Sequence, residues 1–139
     1  MIRMKREAIE RISAAARLGF SPGPPGLYFI TLDGTPGASG ADLKAAINDS
    51  FAWMFINTDA YVLRGHIDAD NKQCLALVPH VPGYRLERGE SRHVFTLTLA
   101  HWAKAYGIEK ALSEMRAAGQ SEKADKLEAA AKKAGVING

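Results

Sequence analysis

The chain has 139 residues, 47% of them hydrophobic and 24% charged, which excludes a disordered, charge-rich segment and leaves room for one domain rather than two. A net charge of +3 permits a nucleic-acid partner without requiring one, and the single cysteine, Cys74, excludes an internal disulfide or a cysteine-built zinc site. No apolar run reaches the roughly 18 residues of a membrane span, and Glu7 and Glu10 interrupt the segment where an export signal needs an apolar core, so a cytoplasmic protein without a membrane partner is expected.

From the N-terminus, Ala8, Ile9, Ile12, Ala15 and Leu18 recur at a spacing that predicts a helix over residues 4–18, stopped by Gly19. "SPGPPG" at 21–26 denies backbone donors and reads as a turn-rich linker. "LYFITL", 27–32, is rich in aromatic and β-branched residues and predicts the first strand. A glycine loop follows, then "ADLKAAI", long enough for a short helix only.

"FAWMFI", 51–56, is apolar on both faces, as expected of a strand covered on two sides, and pairs in this reading as a hairpin with "AYVLRGHI", 60–67. "QCLALV", 73–78, and "HVFTLTL", 93–99, supply two further strands on either side of a long loop, 79–93. From Leu99 the period changes to three and four, giving one long helix to Gly119 despite Gly107. A last helix is expected from Ser121 to Gly135, with so thin an apolar face (Ala124, Leu127, Ala131, Ala134) that docking is left open. The expected fold is a single α+β domain: an N-terminal helix (4–18), an antiparallel sheet region (27–99) of about five strands with a short inserted helix, and C-terminal helices (99–135).

The most site-like stretch is the glycine loop, because a strand, a glycine loop and a helix N-terminus together favour an anion. Yet Gly34, Gly37 and Gly40 lead into Ala41 and Asp42, so the lysine and hydroxyl of a P-loop are missing, and the glycine spacing does not fit a dinucleotide fingerprint. Ser39 and Asp42 instead fit a helix cap. No phosphate site, and no cofactor, is therefore expected.

"HIDAD", 66–70, offers His66, Asp68 and Asp70 as metal ligands, but a polar hairpin turn explains the same residues and no metal site is assigned. His101, Trp102, Trp53 and Cys74 read as structural residues at or inside the core. The loop 79–93 gathers His80, Tyr84, Arg85, Glu87, Arg88, Glu90, Arg92 and His93. Tyr and Arg together have the composition of a recognition surface.

With no nucleophile motif and no complete catalytic set, no catalytic residue is assigned. The expected function is a non-catalytic adaptor, inhibitor or regulator, holding another protein through Tyr84, Arg85, Arg88 and Arg92 and a sheet edge. The first alternative is nucleic-acid binding through basic ends, Lys5, Arg6, Arg11 and Arg17 with Lys123, Lys126, Lys132 and Lys133, since the first 20 residues carry five basic and two acidic groups and the last 39 carry seven and five. The second is a small enzyme using His80 or His93 with a nearby carboxylate.

Overall fold

The computed structural model describes residues 6–137. Six strands form one sheet: β1 (Ile9–Ile12), β2 (Ala16–Pro22), β3 (Leu27–Gly34), β4 (Val62–Asp68), β5 (Arg85–Glu87) and β6 (Arg92–Thr98), in the spatial order β1-β2-β3-β4-β6-β5. Five helices accompany them: α1 (Gly40–Asn57), α2 (Lys72–Leu77), α3 (Leu99–Tyr106), α4 (Ile108–Ala117) and α5 (Ser121–Lys133). The fold is mixed α and β, as expected, but several elements differ from the sequence reading.

Where a helix is expected over 4–18, the described part of that segment contains β1 and the start of β2, paired antiparallel from Ile9–Phe20 to Ile12–Arg17. Ala16, Leu18 and Phe20 alternate with Arg17, Gly19 and Ser21, and the first three are buried. This period of two competes with the helical spacing, and sheet pairing selects it. Gly19 is part of the reason: a Cβ there would lie 2.5 Å from the hydroxyl oxygen of Thr31 on the neighbouring strand.

The apolar run 51–56 is the second half of an 18-residue helix, not a strand. It is apolar all round because none of these six residues is exposed: Phe51 packs edge-on to Phe20 at 6.2 Å and near Phe95, Phe55 stacks on Trp102 at 5.1 Å, and Trp53 lies under the Arg11 guanidinium. A short apolar run fits a buried strand and a buried helix equally, so periodicity does not separate them. With 51–56 helical, the expected hairpin with 60–67 disappears. β4 instead pairs parallel to β3 and antiparallel to β6, and a helical crossover is what parallel neighbours require.

"QCLALV" likewise forms helix, α2, capped by Asn71, whose side-chain oxygen accepts the Cys74 amide N–H at 3.1 Å. The long loop is broken by a 3₁₀ turn at Val78–His80 and by the short edge strand β5. The expected long helix is two, divided at Gly107, whose φ of 114° is available to glycine at low cost.

The sheet has a covered face and an open one. Ala16, Leu18, Phe20, Tyr28, Leu63, Phe95 and Leu97 point to the side of α1 and form the core with Met54, Phe55, Trp102, Leu112 and Met115. α5 is docked, burying Ala124, Leu127 and Ala131. Lys123 ties that helix to α1. It is only 5% exposed, and its ammonium donates to the carbonyls of Phe55 (2.6 Å) and Thr58 (2.8 Å) at the end of α1, with the Tyr61 ring 5.4 Å away. A cation there meets the negative end of the helix dipole.

Burial pushes the Lys123 pKa down from 10.5 to about 8, against a smaller upward pull from Asp59. Between these values the unfolded chain binds more protons than the folded one, so this group's contribution to stability rises with pH across that window; below it both states are protonated and the desolvation penalty is complete. Urea denaturation from pH 7 to 10.5 should show the native protein gaining roughly 3 kcal/mol relative to Lys123→Met, and a constant difference would mean that Lys123 keeps its ordinary pKa.

Candidate functional site

β3 and β4 are joined at one end only. Their register runs Leu27–Val62, Tyr28–Leu63 and Phe29–Arg64 and then stops, although β3 continues to Gly34 and β4 to Asp68. The joined end is pinned from several sides. The Gly26 carbonyl accepts the amides of both Tyr61 (2.7 Å) and Val62 (3.0 Å), and the Tyr61 carbonyl accepts that of Leu99. Arg6 donates to the carbonyls of Gly23, Pro24 and Leu27, forms an ion pair with Asp59 at 2.9 Å and lies over the Tyr28 ring, whose hydroxyl donates to Asp59 at 2.6 Å. Burial, reinforced by that bond to Asp59, raises the Tyr28 pKa and keeps its proton in place.

Beyond Phe29 and Arg64 the strands part around a cavity of about 270 Å³. Its walls are Ile30, Thr31 and Leu32 of β3 and Gly65, His66 and Ile67 of β4; Ile47 and Phe51 of α1 and Cys74, Leu77 and Val78 on and just after α2 close the helix side. A Cβ at Gly65 would stand 3.7 Å from the Ile30 side chain across the opening, an ordinary van der Waals distance. The polar side chains of the lining are Thr31, His66, Asn71 and Cys74. Asn71 is engaged as a cap, and burial pushes the Cys74 thiol up, away from the thiolate needed for nucleophilic attack.

At the wide end of the cleft β3 runs into the glycine loop and the start of α1. Ser39 is the N-cap and accepts the Asp42 amide at 3.1 Å. Gly37 adopts φ 82°, with open space where a Cβ would stand. Among the described residues, the amides of Gly37, Ser39, Gly40 and Ala41 have no hydrogen-bond acceptor. Such a group of amides at the positive end of a helix is suited to an anion.

The residues singled out from the sequence are scattered by comparison. Tyr84 is exposed, Arg85 lies on β5, Arg88 follows it in an exposed turn, and Arg92 makes only a loose 3.9 Å pair with Asp68. His80 is exposed in the 3₁₀ turn, where its carbonyl accepts from Asn48. His93 is buried on β6, its ring nitrogen accepting the Gly89 amide at 3.1 Å. Neither histidine pairs with a carboxylate among the described residues.

Most of the basic ends are also engaged within the chain. Arg6 holds the joined end of the cleft, Arg11 covers Trp53, Arg17 bonds Glu10 through both carboxylate oxygens, Lys123 is buried, and Lys126 and Lys132 face Glu122 and Glu128. Lys133 is exposed, and Lys5 lies outside the described residues. The cleft itself escaped the sequence reading. The signal for it was a strand, glycine loop, helix and strand in series, which implies a parallel pair with a site at the strands' C-terminal ends, but it was obscured once 51–56 was read as a strand.

No family model matches the chain, and no curated protein matches it. Solved structures do. The N-acetyltransferase PseH of Campylobacter jejuni superimposes with a TM-score of 0.53 at 13% identity, over 61% of this chain and 60% of that one. A point mutant of the spermidine N-acetyltransferase SpeG from Vibrio cholerae gives 0.56 at 11% over 73% and 69%, and Mycobacterium smegmatis RimJ in complex with CoA-disulfide gives 0.55 at 16% over 76% and 55%. The chain thus spans about 60% of the length of PseH. The shared fold is that of N-acetyltransferases, and it overturns the expectation of a non-catalytic adaptor with a protein partner, along with the nucleic-acid alternative; the small-enzyme alternative fits it better.

Proposed function

We propose that the protein is an acyltransferase that takes an acyl-coenzyme A as donor in the β3–β4 cleft and passes the acyl group to an amine. The observation that carries this reading is the parting of two parallel strands, the first of which leads through the glycine loop into a helix N-terminus whose amides lack acceptors among the described residues. PseH has been solved with acetyl coenzyme A and RimJ with CoA-disulfide, which supports a coenzyme of this chemistry on this fold.

The residues present fit such a donor. A diphosphate meets the amides of Gly37, Ser39, Gly40 and Ala41 without needing the lysine of a P-loop. The apolar walls of the cleft, from Ile30 to Ile67 and from Phe51 to Val78, suit an extended pantetheine arm. The loop set aside from sequence as a helix cap takes on an additional role in this reading, and a donor replaces the expectation of no cofactor.

Cys74 is a poor candidate for an acyl-enzyme nucleophile because burial holds its thiol protonated, which favours direct transfer. The amine nitrogen attacks the thioester carbonyl carbon, the C–N bond forms, the C–S bond breaks, and the coenzyme leaves as thiolate. His66, the imidazole in the cleft lining, accepts the proton that the amine loses.

Titration calorimetry with coenzyme A should register binding to the native protein and none to Cys74→Phe, whose ring fills the cleft; circular dichroism checks that the variant is folded. Absence of binding to the native protein, or undiminished binding to the folded variant, would sink the assignment. His66→Gln should lower kcat by about 10²- to 10⁴-fold while coenzyme A affinity stays the same, and an unchanged kcat would remove His66 from the chemistry.

A further inference from the structure

The sheet face opposite α1 carries a row of side chains that the donor site does not use. The registers align Phe29 of β3 with Arg64 of β4, Arg64 with Thr96 of β6, and Thr96 with Arg85 of β5. These four residues stand side by side on the open face, with the two arginines separated by one strand and roughly 10 Å apart at the backbone. His66 and Val94 occupy the next row toward the cleft.

Among the described residues neither guanidinium has an acid partner; Arg64 is half-buried and Arg85 exposed. The Arg64 Nε is sealed from solvent and has no hydrogen-bond partner among the described residues. A guanidinium without an acid partner is suited to an oxyanion, because its fork matches a carboxylate or phosphate with two parallel hydrogen bonds. Thr96 between them offers a hydroxyl at the same level. Glu87, two residues from Arg85, is more than 4 Å from both guanidinium groups and belongs to the next row.

The position of this row relates it to the chemistry. Arg64 is the last residue of the parallel ladder, and Gly65 and His66, which follow it, line the cleft. The helices occupy the other face, so a donor held beside α1 is approached from the open face. We infer that Arg64, Thr96 and Arg85 form the acceptor's anchor, and that the acceptor is an amine carrying a carboxylate or phosphate a few bonds from the reacting nitrogen, which lies toward His66, two residues along β4. This rests on the acyltransferase reading above.

The test uses acetyl coenzyme A with three amines of similar length: 3-aminopropanoate, 2-aminoethyl phosphate and propylamine. One or both anionic amines should show a KM at least about tenfold below that of propylamine, and the better of the two identifies the anion. Arg64→Met and Arg85→Met should each raise that KM toward the propylamine value, with kcat held within about threefold and coenzyme A affinity unchanged; Arg64→Lys should recover part of the loss. Equal KM values for all three amines, or a preference that survives both methionine variants, would overturn the inference.

If coenzyme A fails to bind, the acyltransferase reading falls by itself and the anchor is judged separately. Acetate or phosphate titrated into isotope-labelled protein should then shift the NMR signals of Arg64 and Thr96 in the native chain, and leave that of Thr96 in place in Arg64→Met. No shift in the native chain would overturn the anchor as well.

Discussion

The parallel seam between β3 and β4 is the constraint on which the rest of the structure depends. It is three residue pairs long and lies at one end of two longer strands. A parallel pair needs a crossover, and α1 supplies it, which fixes the helix over the sheet and sets its N-terminus at the end where the strands diverge. The Gly26 carbonyl, with its two amide donors, and the Arg6, Asp59 and Tyr28 group hold the seam closed at the opposite end. One short seam thus accounts for a cleft that opens past Arg64, an anion-suited helix end beyond the far end of β3 and an uncovered sheet face.

How far this was legible in the sequence differs by element. Strands at 27–32 and 93–99 carry aromatic and β-branched residues in numbers that leave little choice, and both are present with nearly the expected bounds. The C-terminal helices declare themselves by spacing, and Gly107 marks their division. The failures are places where two periods coexist or where none does: Ala16, Leu18 and Phe20 alternate within a segment that also satisfies a helical stripe, and 51–56 has no polar face at all. Tertiary packing decides both.

The candidate site was less legible for a different reason. His66, Cys74 and the glycine loop were each noticed, but as a metal candidate, an inert thiol and a helix cap, because what unites them is the end of a hydrogen-bond ladder. Residue types do not encode that directly. The loop 79–93 drew attention through its density of charge, yet its residues divide between a 3₁₀ turn, an edge strand, exposed connections and the start of β6. Local composition therefore identified a surface, while topology brought the cleft together.

On either side of the seam the sheet consists of two antiparallel leaves of three strands, β1-β2-β3 and β4-β6-β5, each built from pairings within itself. Hairpin contacts within the first leaf close short loops, whereas joining the leaves brings residues 27 and 62 together across the whole of α1, a contact of higher order that costs more chain entropy. The cleft is then a boundary between cooperative units, and a molecule lying in it bridges both. A ligand held there would act as a weld, coupling occupancy of the cleft to the integrity of the sheet by mass action.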